Sequence, residues 1–164
     1  MKRLVIHSLA LPLVAVLFWP ATAQGAVYSF NLDPPNTAAD PDTGNVIRVT
    51  SAGIFDTATG EVVAMGSFKV FASDGTLIAR GTWAATDFVD FSSVGGPSPG
   101  LQSGVLHTLV TLFPAGDDPI TDVPMRVVCN IHPGFDTGLP EGTIIGDFTE
   151  STGGLTLFNL HEVP

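Results

Sequence analysis

A glycine placed two residues before an aromatic recurs as Gly66-Ser67-Phe68 and Gly81-Thr82-Trp83, with Gly53-Ile54-Phe55 as a looser copy, inside the stretch Ala52 to Phe91. Turn signals separate the copies: Asp56-Thr57-Ala58-Thr59-Gly60, then Ser73-Asp74-Gly75-Thr76. Asp-Gly and Thr-Gly supply the positive φ that short hairpin loops need, so turn chemistry and hydrophobic spacing both specify a three-strand antiparallel meander. The rest of the chain is expected to add strands to it.

Upstream, Tyr28, Phe30 and Leu32 alternate with Val27, Ser29 and Asn31, which predicts a strand with one buried face over 26–32. The Pro- and Asp-rich run 33–44 reads as a loop, and strands resume over 45–55, 61–72 and 76–91. Along the last of these, Leu77, Ala79, Gly81, Trp83 and Ala85 share a face. The alternation breaks near Asp87, since Phe88 and Phe91 differ in parity, and a bulge or bend is expected there. Residues 92–104 and 132–141 lack periodicity and read as loops. Strands over 104–113, 121–131, 142–150 and 154–160 complete the pattern. About eight strands with no amphipathic helix predict an all-β antiparallel domain. A closed barrel is preferred over a sandwich, because glycine beside aromatics permits strand coiling.

Lys2 and Arg3 precede an apolar run from Leu9 to Trp19 and then Ala21-Thr22-Ala23, the pattern of a secretory signal peptide over 1–23. A single domain over 24–164, secreted or periplasmic, is the expectation. The run is short for a membrane span and no second one follows, so no membrane anchor is expected in the mature chain. The sequence holds 6 Lys and Arg against 16 Asp and Glu; removing Lys2 and Arg3 leaves 4 cations and a net charge of −12. Such a balance disfavours nucleic acid as a partner, because that binding releases counterions through clustered cations. A monomer or weak homo-oligomer is expected. Cys129 is the only cysteine, so no intramolecular disulfide can form, and its neighbours Val127, Val128 and Ile131 mark it as a small buried hydrophobe.

Two resemblances bear on architecture. Gly81-Thr82-Trp83-Ala84-Ala85-Thr86, Phe91-Ser92-Ser93-Val94-Gly95 and Pro140-Glu141-Gly142 together resemble a group of small exported bacterial β-barrel proteins of unknown function. The Gly-aromatic meander with Asp-Gly turns is similar to the allene oxide cyclase and dirigent barrels, which implies a barrel that handles apolar ligands and offers no functional residue to transfer.

Several constellations could carry chemistry. Cys129-Asn130-Ile131-His132-Pro133-Gly134-Phe135 resembles the ligand loop of cupredoxins, with His107 as the upstream imidazole, but Phe135 stands where the axial sulfur belongs. Pairing positions that sum to about 235 across the hairpin sets His107 opposite Val128, on the other face from Cys129. No metal or cofactor is therefore expected. Asp40-Pro41-Asp42-Thr43-Gly44-Asn45 lacks the further ligands of a calcium loop, and Asp87, Asp90 and Glu141 lack the fixed separation that a glycosidase needs. Lys69 and Arg80 are expected to pair with local carboxylates. Scarce His and Lys, and the absence of a Gly-x-Ser-x-Gly elbow, weigh against an enzyme. The reading is a binding or structural module for a small apolar ligand or a protein partner, the ligand lined by Phe68, Trp83 and Leu106 with Asp87 beside them. A barrel isomerase or cyclase is the alternative, and a copper protein the second.

Overall fold

A computed structural model describes residues 25–131 and 134–161; the expected signal peptide lies outside them. All regular structure among the described residues is strand: β1 (Val27–Ala39), β2 (Val46–Asp56), β3 (Val62–Phe71), β4 (Leu77–Ser98), β5 (Leu101–Pro114), β6 (Ile120–Cys129), β7 (Gly142–Ile145), β8 (Glu150–Gly153) and β9 (Thr156–His161). They form one antiparallel sheet in the order β4-β3-β2-β1-β9-β5-β6-β7. Pairing of β4 with β5 curls it into a ring through six strands, from which β6 and β7 extend, while β8 pairs with β1.

The meander matches its expected strands: β2 pairs with β3 from Val46↔Phe71 to Phe55↔Val62, and β3 with β4 from Met65↔Ala84 to Phe71↔Leu77. Its glycine–aromatic spacing has a packing cause. The Phe68 ring lies over Gly81 on the neighbouring strand, where a Cβ would fall 2.8 Å from Cε1. The Trp83 indole lies over Gly66, where a Cβ would meet both Nε1 and the Thr50 carbonyl oxygen. That carbonyl accepts the indole N–H at 3.3 Å. Each aromatic thus fills the gap left by the missing side chain next door, which lets the sheet coil tightly.

The break in alternation at Asp87 is two bulges. Ladder partners step from Ala85↔Val110 to Asp87↔Leu109, and from Phe88↔Thr108 to Asp90↔His107, so Thr86 and Val89 are extra residues. Each extra residue flips parity once, so Trp83, Ala85, Phe88 and Phe91 all turn inward. Phe88 and Phe91 join Tyr28, Phe30, Phe55 and Phe158 in an aromatic cluster that fills one end of the ring.

Two expected loops are strand. Residues 33–39 continue β1: the prolines Pro34 and Pro35 cannot donate to a ladder, so the register slips between Leu32↔Ser51 and Asn36↔Val49, and the strand then changes partner from β9 to β8. Residues 92–104 are mostly the outer part of the β4–β5 hairpin, turning at Pro99-Gly100. The small residues that removed any periodicity there still pair through their backbones. Conversely, the strand expected over 142–150 ends at Ile145, where a turn through Gly146 to Phe148 leads into β8.

Candidate functional site

The ring interior is filled for most of its length. Trp83, Leu106, Phe55, Phe158 and Val127 are all fully buried, and the aromatic cluster closes one end. At the other end a cavity of about 430 Å³ opens between the start of β4, the β5–β6 hairpin and the turn after β7. Ile47, Phe68, Val70, Ala79, Leu112 and Ile145 form its floor and walls, and Phe148, Pro114 and Ile120 stand around it. Thr121, Asp122 and Asp147 supply its polar groups. The mouth exists because β4 and β5 part company: their last rung is Gly81↔Pro114, the Arg80 carbonyl accepts one further bond from the Ala115 amide, and Leu77 to Ala79 pair only with β3.

One lip of the cavity is a bulge in β6. Partners step from Val110↔Val123 to Leu112↔Ile120, leaving Thr121 and Asp122 opposite Thr111 alone. Asp122 takes φ +57, the one non-glycine residue at positive φ among those described. Aspartate tolerates that region better than most residues, and Thr121 Oγ1 donates to its carboxylate at 3.1 Å.

Of the residues expected to line a ligand, Phe68, Trp83 and Leu106 belong to one buried cluster, and Asp87 stands apart from it. Phe68 borders the cavity. Trp83 and Leu106 are buried deeper in the packed core, and Asp87 is exposed on the outer side of β4, its carbonyl accepting the Thr108 hydroxyl. Sequence reasoning missed Ile47, Leu112, Ile145 and the β6 bulge. No local signal marks the place where two strands diverge.

The copper constellation has the geometry of two separate faces. His107 pairs with Arg126, so partner positions sum to 233 in place of the expected 235 or so; an even shift leaves the parity unchanged. Cys129, opposite Gly104, points into the core, while His107 lies on the outer face with Nδ1 2.7 Å from Asp90 Oδ1. His132 lies outside the described residues. Asn130 organises the irregular segment between β6 and β7, donating to the Leu139 carbonyl and accepting the Thr137 amide and hydroxyl. Among the described residues no group of three or more His, Cys, Asp or Glu is placed to hold a metal ion. The Asp40 carboxylate is occupied within its own turn, where hydrogen bonds from the Thr43 hydroxyl and the Asp42 amide hold its pKa below the usual range. Asp90 faces outward beside His107, whereas Glu141 accepts the Thr156 amide.

Burial pushes the Cys129 thiol up to about 11, with Glu141 adding to the rise and a backbone hydrogen bond at Phe158 opposing it. A thiol near 9 when unfolded and near 11 when folded leaves stability intact below pH 9. Stability then falls as pH climbs from 9 to 11, because only the unfolded chain ionises over that window. The expected loss is on the order of 2–3 kcal/mol. It should vanish from the alkaline branch of the Cys129→Ala denaturation profile. The native thiol should also resist Ellman's reagent at pH 8 until denaturant is added.

Comparison with protein-family models, curated proteins and solved structures yields no match. The resemblances drawn from the Gly-Thr-Trp segment and the meander therefore reach only to an antiparallel fold with a partial ring, and no family is assigned. What the site can do rests on its own shape and lining.

Proposed function

We propose that this chain is an exported binding module that takes a small apolar ligand into the cavity between β4, β6 and the turn after β7. The observation that carries the reading is a cavity of about 430 Å³ with an apolar floor, open at the end of the ring away from the aromatic cluster. That volume lies within the ordinary range for ligand sites. Asp122 and Asp147 among its lining disfavour an anionic ligand head. The polar groups are few, and neither His, Lys nor Tyr lines the cavity, which favours binding over an isomerase or cyclase.

Titration with the uncharged fluorophore N-phenyl-1-naphthylamine is expected to give saturable enhancement at one site, with a Kd on the order of 10 μM. Ala79→Phe, which fills the cavity from β4, should weaken binding about tenfold or more. Val63→Ala, on the exposed face of β3, should leave it unchanged. Equal binding by a folded Ala79→Phe protein would refute the assignment of the site.

A further inference from the structure

Four cations lie in the chain beyond Arg3: Arg48, Lys69, Arg80 and Arg126. Three of them stand in one row. The ladder pairs Arg48 with Lys69 and Lys69 with Arg80, across β2, β3 and β4, and all three side chains are exposed on the outer face of the ring. Lys69 and Arg80 do not find the carboxylates expected of them; the sheet instead sets them against each other. Among the described residues none of the three makes an ion pair or a side-chain hydrogen bond, although Arg48 lies over the Phe71 ring at 4.7 Å. Like charges directly opposite on a sheet destabilise it. In a chain with 16 acidic residues, none is set opposite this row in the ladder.

Its surroundings are equally selective. The adjoining row of the same face is Thr50, Ser67 and Thr82, all hydroxyls, with Thr50 Oγ1 and Ser67 Oγ 2.8 Å apart. Beyond it come Ala52, Met65 and Ala84. Across these three rungs the face carries no carboxylate, and the next acids along the outer side of β4 are Asp87 and Asp90. The row is thus a local cluster of three cations on a chain whose net charge is negative.

We infer that the row Arg48–Lys69–Arg80 is a binding site for an acidic polysaccharide lying across the strands. Neighbouring strands lie about 4.8 Å apart, so the row offers three positive charges over roughly 10 Å on an open surface. An extended polymer with one carboxylate or sulfate per sugar can present oxyanions at comparable intervals. The two guanidinium forks bind such groups bidentately, and the neighbouring hydroxyls accept and donate to sugar hydroxyls. The surface is a face and not a cleft, which suits a chain that passes over it. This site is separate from the apolar cavity and does not depend on it.

The test uses oligogalacturonate and low-mass dextran sulfate as probes, with neutral dextran and an oligothymidylate for comparison, in calorimetric or anisotropy titrations. Both acidic glycans are expected to bind and neutral dextran is not. Three contacts predict an affinity that falls roughly 20- to 40-fold between 50 and 200 mM salt, as for other polyelectrolytes. Lys69→Gln should weaken binding about tenfold and also raise the Tm of the free protein, because it removes the charge that faces two others. A residue with a purely structural role would lower the Tm. Arg126→Gln, a cation outside the row, should leave binding unchanged. The inference is overturned if neither acidic glycan binds, if Arg126→Gln weakens binding as much as Lys69→Gln, or if oligothymidylate binds more tightly than both glycans.

Discussion

Phe55→Ala is expected to destabilise the protein by about 3–5 kcal/mol, the usual cost of emptying a buried phenylalanine site. Phe55 sits at the centre of the aromatic end of the ring. Its ring centroid lies 4.9 Å from Phe91, 5.2 Å from Tyr28, 5.8 Å from Phe88 and 6.0 Å from Phe158. These rings come from β1, β2, β4 and β9, so one truncation loosens four strands together. The surroundings cannot collapse onto the gap easily, because Phe88 and Phe91 are held inward by the two β4 bulges. Urea denaturation of the wild type and variant measures the difference. A loss below about 1 kcal/mol would mean that the cluster is not a packed core.

Asn36→Asp is the second large effect, and it depends on pH. Asn36 is 1% exposed, and its Nδ2 donates to Thr143 Oγ1 and to Thr156 Oγ1, each at 3.0 Å. These bonds tie β1 to β7 and β9 close to the point where β1 changes ladder partner. Oδ1 has no hydrogen-bond donor and packs against Gly154, where a Cβ would come within 2.0 Å of it. An aspartate here keeps the shape and adds a buried charge without a cation, so its folded pKa rises above the unfolded value near 3.9. Well below pH 4 both states are neutral, and the deficit is only that of the one donor which a carboxyl O–H lacks relative to the amide, about 1 kcal/mol. As pH rises past 4 the unfolded chain ionises first, and the deficit grows until the folded pKa is reached. With a rise of about 3 units, the loss at pH 7 is roughly 4 kcal/mol. A deficit that does not change between pH 4 and pH 7 would show that the clasp is open to water.

The two effects also show which parts of the fold were legible. The meander could be read because its glycine–aromatic copies and Asp-Gly turns act within a few residues of one another. The bulge near Asp87 could be read from the parity of Phe88 and Phe91. The outer hairpin, Ser92 to Gly104, could not, since glycine and serine leave no hydrophobic period even where the backbone pairs. Asn36 reads locally as part of a proline-rich loop. Its role depends on Thr143 and Thr156, more than a hundred residues away.

By itself the sequence determined the all-β antiparallel class, the place of the meander and the burial of Cys129, because alternation, turn chemistry and apolar neighbours are local properties of the chain. Only the tertiary structure decided the rest. The closure of β4 on β5 packs Trp83 and Leu106 into a solid core and leaves the cavity where those two strands diverge. The registers of β2, β3 and β4 line up Arg48, Lys69 and Arg80 from three separate strands. Cross-strand neighbours are set by register, and register is settled by how the whole ring closes, which no window of sequence contains.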